Sequence, residues 1–352
     1  MAVPHETLRR DWLEHQGGAS GPLGEFGSAA DVGGTPLERI RLRIAGVDRV
    51  VHLKLEGHNP SGSIKDRAAL SMLRNLEASG RLASRGRLVE SSSGNLAVAL
   101  ALFARDRGYA FTAVVDPRIT PENLARLHVL GAEVQRVDAL DDSGGYLLTR
   151  LERVRELLAE DPALVWTNQY ANAANPEAHF SGTAPEIHRQ MECEVDAVFV
   201  AVSTGGTLAG IARYFRQTSP LTRVIAVDAR GSVALGGTPA TRKLTGMGSS
   251  RRSELATEAS YDELVYVGDA EAFAFCRALD ASTGIRVGGS SGACLAACAD
   301  WLARHPGMER AVCVAADRGE HYASSIFNDA WLSRNGLALG SRDLLPATKI
   351  HG

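Results

Sequence analysis

The sequence predicts an α/β protein built on parallel sheets, and three observations carry that prediction. From Asp48 onward, short β-branched runs alternate with longer helical patterns, the signature of parallel βαβ units. No internal repeat of about 20 to 50 residues interrupts the alternation, which removes solenoids and propellers. The chain has 352 residues, 45% hydrophobic and 22% charged. That is an ordinary globular composition and, at about 150 residues per domain, roughly two domains of length.

Residues 1–30 are rich in Gly, Ser, Ala and Glu and read as a loosely held arm. Val50–Leu55 is the first expected strand, and a helical pattern over 64–79 follows it. Leu88–Ser91, Phe111–Val115, Glu133–Val137 and Leu164–Thr167 are then expected strands, separated by helices at 95–107, 121–130 and 143–159. Helix 175–191 leads to strand Ala197–Val202, and helix 206–217 to strand Val224–Val227. The Gly-rich stretch 229–250 breaks the rhythm; a loop of that length is usually functional or disordered, and it needs a site to cover. Strand Leu264–Val267, helices 270–282 and 292–304, strand Ala311–Ala315 and helix 320–332 complete the series.

Charge and cysteine content exclude several classes. With 38 Lys plus Arg against 41 Asp plus Glu, the net charge of −3 gives no reason to expect a nucleic-acid or membrane partner. Met1 to Leu13 carries Glu6, Arg9, Arg10 and Asp11 where a secretory signal would be apolar. The five cysteines lack CxxC spacing and the ten histidines lack an HExxH pattern. A reduced cytoplasm and no structural metal are therefore expected. The 36 glycines exceed the usual share of about 7% and are not periodic, so what matters is where they cluster.

They cluster in motifs that share one architecture: a strand end, a turn of small residues, a helix start. Asn59-Pro60-Ser61-Gly62-Ser63-Ile64-Lys65-Asp66-Arg67 puts a lysine in the first turn of a helix, where the dipole disfavours a cation. A destabilised ammonium suits a nucleophilic or imine-forming amine; the plainer reading is an exposed lysine tolerated by Asp66. Glu90-Ser91-Ser92-Ser93-Gly94-Asn95 collects hydroxyls, backbone N–H groups and an amide where a carboxylate or phosphate can sit, or where serine simply caps the helix. Ser203-Thr204-Gly205-Gly206-Thr207 reads as a phosphate cup; it fits neither Walker A nor GxGxxG. Gly288-Gly289-Ser290-Ser291-Gly292 matches the GxSxG nucleophile elbow, so acyl hydrolysis with Ser290, Asp317 and His321 is a competitor. A hydrolase would leave the other three motifs unexplained. A lysine amine, a carboxylate site, a phosphate cup and a neutral hydroxyl together fit a pyridoxal phosphate site.

On these residues the chain resembles the fold type II (β-family) pyridoxal phosphate enzymes, the group of cysteine synthases and cystathionine β-synthases. The matching motifs are Gly33-Gly34-Thr35-Pro36-Leu37, Lys54 to Arg67, Ser92-Ser93-Gly94-Asn95, Gln169, Asn175-Pro176, Ser203 to Thr207 and Gly289-Ser290-Ser291-Gly292, in family order from about residue 33 to 330. The resemblance implies a tryptophan synthase β-like α/β fold of two open parallel-sheet domains with helices on both faces. It implies an N-terminal arm over 1–30, a smaller mobile domain over 56–165, and a larger cofactor-binding domain over 31–55 and 166–352. Lys65 matches the Schiff-base lysine, Asn95 the asparagine at the cofactor's ring hydroxyl, and Ser203, Thr204, Gly205, Gly206 and Thr207 the phosphate loop. Ser290 matches the serine at the pyridine nitrogen, which would leave that nitrogen largely unprotonated and favour β-elimination; Ser92, Ser93 and Gln169 match substrate-carboxylate positions.

Departures from cysteine synthases sharpen the substrate. Leu96-Ala97 replaces the usual Thr-Gly, Tyr170 the usual Phe, and Lys243 to Arg252 a loop that usually ends in Ala-Gly-Phe. These features look like the branch that joins O-phospho-L-serine and L-glutamate into N-(2-amino-2-carboxyethyl)-L-glutamate, a step toward 2,3-diaminopropionate for a siderophore or peptide antibiotic. A phosphate leaving group and a dicarboxylate call for cations, and Arg251 with Arg252 is the expected clamp, with solvated loop charges as the plainer reading. The resemblance further implies a cytoplasmic homodimer acting on small amino acids. The alternatives are a cysteine synthase or cystathionine β-synthase-like enzyme using a sulfur nucleophile, and a cofactor-free relative kept as a binding module.

Overall fold

The computed structural model describes residues 26–141, 144–337, 339 and 348–350; residues 1–25 of the expected arm lie outside the described residues. The chain opens with a hairpin, β1 (Leu37–Ile44) and β2 (Val47–Leu55), turned at Ala45-Gly46 with φ of 48° and 79°. Positive φ at both central residues gives the turn whose twist suits paired antiparallel strands. Helix α1 (Lys65–Ala78) follows, then β3 (Arg87–Ser91), α2 (Asn95–Arg107), β4 (Ala110–Val115), α3 (Pro121–Val129), β5 (Glu133–Arg136), α4 (Leu147–Glu160) and β6 (Leu164–Trp166). These four strands form a parallel sheet of order β5-β4-β3-β6.

The chain then passes through α5 (Ala174–Ala178), a π-helical turn (His179–Thr183) and α6 (Ala184–Gln190) into β7 (Ala197–Ala201). Next come α7 (Gly206–Thr218), β8 (Arg223–Ala229), β9 (Glu263–Val267), α8 (Asp269–Thr283), α9 (Gly289–Arg304), β10 (Ala311–Ala315), α10 (Asp329–Arg334) and β11 (Thr348–Lys349). The second sheet has the order β11-β1-β2-β10-β7-β8-β9. Its β2 and β7 to β10 run parallel, and β1 pairs antiparallel with both β2 and β11.

Burial explains why the strands read as nearly continuous apolar runs. On one face of the larger sheet, Phe199, Ile225 and Val227 share a core with Phe273, Leu279, Leu295 and Trp301 of α8 and α9. On the other, Val198, Val200 and Val224 meet Ile187, Leu208, Ile211 and Phe215 of α6 and α7. The smaller sheet packs Leu88, Phe111 and Ala113 against Leu70, Leu73, Leu100 and Phe103 of α1 and α2, and Val89 and Val114 against Val154 of α4. A parallel sheet covered on both faces leaves few positions for polar side chains. No helix among the described residues is long and apolar enough to cross a membrane.

Three details correct the sequence reading. The larger sheet is mixed, because β1 was not expected; its signal is the strict alternation of Leu37 to Ile44, which buries Ile40, Leu42 and Ile44 and exposes Arg39, Arg41 and Arg43. The helix expected over 175–191 is interrupted by the π turn, where α7 packs closely: a Cβ on Gly210 would fall 2.2 Å from the Pro176 carbonyl oxygen. The helix expected over 320–332 is a 3₁₀ turn at Gly319–Tyr322 followed by α10, which starts afresh with Asn328 accepting the Trp331 N–H.

Under the larger sheet lies a buried ion cluster. Lys54 Nζ, fully buried, donates to the Thr35 carbonyl at 2.7 Å, Glu186 Oε2 at 2.8 Å and Gln190 Oε1 at 2.9 Å. Arg67 forks onto Glu56 at 2.7 and 2.9 Å and onto Glu186 at 2.8 and 2.7 Å. The Gly33 to Leu37 motif belongs here: Gly34 N–H donates to Glu186 Oε1 at 3.0 Å and Thr35 Oγ1 to Glu56 Oε1 at 2.8 Å. The cluster ties β2, α1 and α6 together, and its Arg67 lies two residues past Lys65 on α1.

Candidate active site

The carboxyl ends of β2, β3, β4, β6, β7 and β10 converge on one crevice, the place where open parallel sheets bind ligands. It holds a cavity of about 240 Å³ and, beside it, a cup of about 20 Å³. Ile64, Lys65, Ser203, Thr204, Gly246, Ser290 and Ala316 line both. Lys65 stands at the junction.

Lys65 is the first residue of α1 and is held there by its backbone. The Ile64 N–H donates to the Ala316 carbonyl at 2.8 Å, Ser63 bridges Asp317, and the Lys65 N–H donates to Ser63 Oγ at 3.2 Å. The side chain is half-buried, opening onto the cavity, and among the described residues its Nζ has no hydrogen-bond partner. Burial lowers its pKa, and the Asp317 carboxylate opposes that shift. Asp66 does not tolerate this lysine, as the plainer reading required: its Oδ2 accepts the Ser61 N–H at 2.6 Å, and burial pushes its carboxyl up to about 7.

Ser92 to Asn95 follow β3. Helix α2 is capped by Gly94 with no side-chain hydrogen bond, so the serine hydroxyls do not act as caps. Ser93 Oγ instead accepts the Asp116 N–H at 2.9 Å, and Ser92 Oγ the Gly94 N–H at 3.3 Å. Asn95 Nδ2 donates to Asp317 Oδ2 at 2.6 Å, and among the described residues its buried Oδ1 has no partner. Gln169 and Tyr170 line the same cavity and both donate to the Ser91 carbonyl, at 3.0 and 3.2 Å. Glu90, buried in the strand end, accepts from Thr167 at 2.5 Å, Trp166 at 3.1 Å and the Gln169 N–H at 3.0 Å, which fixes the segment that carries them.

The cup is made by Ser203 to Thr207 at the start of α7. Gly205 has φ of +94°, and a Cβ there would fall 2.2 Å from Ser253 Oγ; one on Gly206 would fall 2.1 Å from Asn175 Oδ1. Neither glycine position therefore admits a side chain, and the first N–H groups of α7 are left for an anion. Thr207 Oγ1 lies 3.2 Å from Nε2 of the buried His179.

Ser290 is buried in the first turn of α9, but the hydrolase reading of its motif fails on geometry. Asp317 accepts from Asn95 and, at 2.5 Å, from Tyr322, while His321 Nε2 lies 2.9 Å from Arg126 Nη1. Burial and the Arg126 and Arg318 guanidiniums push His321 down to about 3. The glycines of the elbow serve packing: a Cβ on Gly292 would fall 2.1 Å from the Ala272 carbonyl oxygen of α8.

Arg251 of the expected clamp lies beside the cavity, against the lining residue Tyr170. Arg251 pairs with Glu254 and sits over the Tyr170 ring at 5.8 Å, outside the cavity lining. The arginines that do line the cavity are Arg118, Arg150 and Arg242, with Asp116, Asp317 and Tyr322. Sequence reasoning did not single these arginines out, because arginine is common on loops; the usable signal was position, Arg118 just past the end of β4 and Arg242 inside the long loop.

Comparison with known proteins agrees with this geometry. Residues 29–317 match the family model described as pyridoxal-phosphate dependent enzyme. The chain is 46% identical over 303 residues to an N-(2-amino-2-carboxyethyl)-L-glutamate synthase of Ralstonia nicotianae, covering 86% of this chain and 90% of the relative. It is 44% identical over 306 residues to the protein of that name in Cupriavidus metallidurans, with the same coverage. Among solved structures it is similar to an O-ureido-L-serine synthase, with a TM-score of 0.78 and 29% identity over 90% of this chain and 96% of that one. It is also similar to an O-acetylserine dependent cystathionine β-synthase from Helicobacter pylori, with a TM-score of 0.78 and 28% identity over 84% and 96%.

Proposed function

The chain belongs to the family of pyridoxal-phosphate dependent enzymes, and from that premise we propose that it joins O-phospho-L-serine to L-glutamate, forming N-(2-amino-2-carboxyethyl)-L-glutamate and releasing phosphate. The observation that carries the reading is the charge of the cavity. In a protein of net charge −3, its lining holds Lys65, Arg118, Arg150 and Arg242 against only Asp116 and Asp317. A β-replacement whose leaving group is phosphate and whose nucleophile is a dicarboxylate brings anions into this cavity at both steps; a sulfide would need no such lining.

The residues fit the cofactor. Among the described residues Lys65 offers an amine without a hydrogen-bond partner and Asn95 an unpartnered Oδ1, and the cup has no room for a Cβ at Gly205 or Gly206. Lys65 would carry the cofactor, Ser203 to Thr207 its phosphate, Asn95 its ring hydroxyl, and Ser290 its pyridine nitrogen. Bound pyridoxal phosphate supplies the electron sink that lets an α-proton and a β-substituent depart in turn.

The chain's own groups do the rest. Ser92, Ser93 and Gln169 hold the substrate carboxylate, and Lys65 Nζ takes the α-proton and later returns it. Arg150, 3.4 Å from Ser93 Oγ, faces the departing phosphate, with Tyr170 closing that wall. The C–O bond to phosphate breaks, the C–N bond to glutamate forms, and the glutamate amine loses one proton. We take residues 56–165 as the smaller domain whose closure, with the 229–252 loop, excludes water; their separate sheet supports this division. A cytoplasmic homodimer serving siderophore or antibiotic synthesis completes the proposal, and light scattering of the purified protein checks the dimer.

Incubation with O-phosphoserine and glutamate, read by mass spectrometry and phosphate release, tests the reading. Product from sulfide but not from glutamate would replace it with a cysteine synthase. The cup has its own test: Gly206→Ala displaces Asn175, and pyridoxal phosphate affinity, read by fluorescence titration, is expected to fall at least about tenfold, or 1.4 kcal/mol.

A further inference from the structure

Resting on the reading above, we propose that Arg118 and Arg242 form a subsite for the distal carboxylate of the second substrate and so select a dicarboxylic amino acid over its neutral analogues. The argument begins from which cavity charges are already matched. Asp116 is engaged by Arg150 at 3.1 Å. Asp317 accepts from Asn95 and Tyr322 and is the carboxylate that acts on Lys65. That leaves Arg118 and Arg242 as the cations in excess.

Among the described residues, neither guanidinium forms an ion pair. Arg118 is exposed at the cavity mouth, over the Tyr146 ring at 5.3 Å. Arg242 is half-buried and donates to the Gly231 carbonyl at 3.1 Å. Two carboxylates attract Arg242 at longer range without forming a salt bridge to it, and each also accepts backbone N–H groups, although Asp228 Oδ2 has no hydrogen-bond partner among the described residues. Asp269 accepts the Lys243 and Leu244 N–H groups at 2.7 and 2.9 Å, and Asp228 the Ala229 N–H at 2.8 Å. The repulsion between the two arginines is felt at Arg242, whose pKa is lowered by burial and by Arg118 in spite of both carboxylates.

Their placement supplies the second half of the argument. Arg118 follows β4 of the smaller sheet, and Arg242 rides on the long loop after β8 of the larger one. A carboxylate between them relieves their repulsion and gains charge-assisted hydrogen bonds from opposite walls. On the proposed reading the cup takes the cofactor's phosphate, the Ser92 loop the α-carboxylate and Arg150 the departing phosphate, which leaves Arg118 and Arg242 for one further anion.

The test uses the cofactor-loaded enzyme and compares glutamate with glutamine, which differ only in that distal group. Arg118→Gln and Arg242→Gln are each expected to lower the ratio of kcat/KM for glutamate over glutamine at least about tenfold, and the double variant about a hundredfold. Arg242→Lys, which keeps the charge without the fork, is expected to retain most of the preference. Calorimetry with glutarate gives a readout apart from turnover: its affinity is expected to fall at least about tenfold in either glutamine variant, with butyrate as the monocarboxylate control. A ratio within twofold of the parent enzyme, or unchanged glutarate affinity, overturns the subsite while the proposed reaction stands. A parent enzyme that forms no product from glutamate overturns both.

Discussion

Lys65→Ala is expected to lower kcat for β-replacement by at least about a thousandfold, because it removes both the attachment point of the cofactor and the base that moves the α-proton. Three features support the proposed role of this lysine as the reactive amine. It occupies the first turn of α1, where the helix dipole opposes a positive charge, its Nζ has no hydrogen-bond partner among the described residues, and burial lowers its pKa. The other lysine of the motif, Lys54, is a built-in contrast. It too is buried and its pKa is lowered, but three acceptors within 2.9 Å hold its ammonium in place. The variant should still fold, since the Lys65 backbone contacts survive the substitution. Its mass after borohydride reduction in the presence of pyridoxal phosphate checks the attachment role: the parent chain gains the cofactor's mass and the variant does not. A variant with normal turnover would end the assignment.

How much of this was legible in the chain follows from how local each signal is. Parallel strands buried on both faces are apolar along their length, so β7 and β10 stand out without any partner in view. The motifs at their carboxyl ends are contiguous, because a turn that wraps an anion is made by neighbouring residues, as Ser203 to Thr207 shows. What failed was assembly over distance. The arginines at the cavity come from 118, 150 and 242, and no spacing rule joins them; the sequence offered instead the adjacent pair Arg251 and Arg252, of which Arg251 is engaged by Glu254. Asp317 was legible as a triad acid in the right chain order, but its partners are Tyr322, five residues along, and Asn95, which follows a strand of the other sheet. β1 is a different case: its alternation was local and plain, and it went unread because the rhythm of buried strands set the expectation.

The second large effect is on stability rather than chemistry. Glu186→Gln is expected to cost about 3 to 5 kcal/mol, because it strips the shared anion from Lys54 and Arg67 and leaves buried cations short of charge. Glu56 still serves Arg67 at 2.7 Å, so the unmet charge falls mainly on the fully buried Lys54. The same cluster fixes the sign of an acid effect. Hydrogen bonds and charge from Arg67 and Lys54, opposing burial, hold the Glu186 carboxyl at about 2 against an ordinary 4.5. A carboxyl whose folded pKa is depressed stabilises the fold above its unfolded pKa, so this contribution is complete above about 4.5 and is lost as pH falls toward 2. Denaturant midpoints measured across that window should therefore fall more steeply for the parent chain than for Glu186→Gln, in which the titrating group is gone. Parallel curves would mean that Glu186 is not the group holding these cations. Because the cluster ties β2 to α1 at Arg67, two residues past Lys65, a loss confined to stability at neutral pH, with pyridoxal phosphate affinity restored at low temperature, would separate support of the fold from shaping of the site.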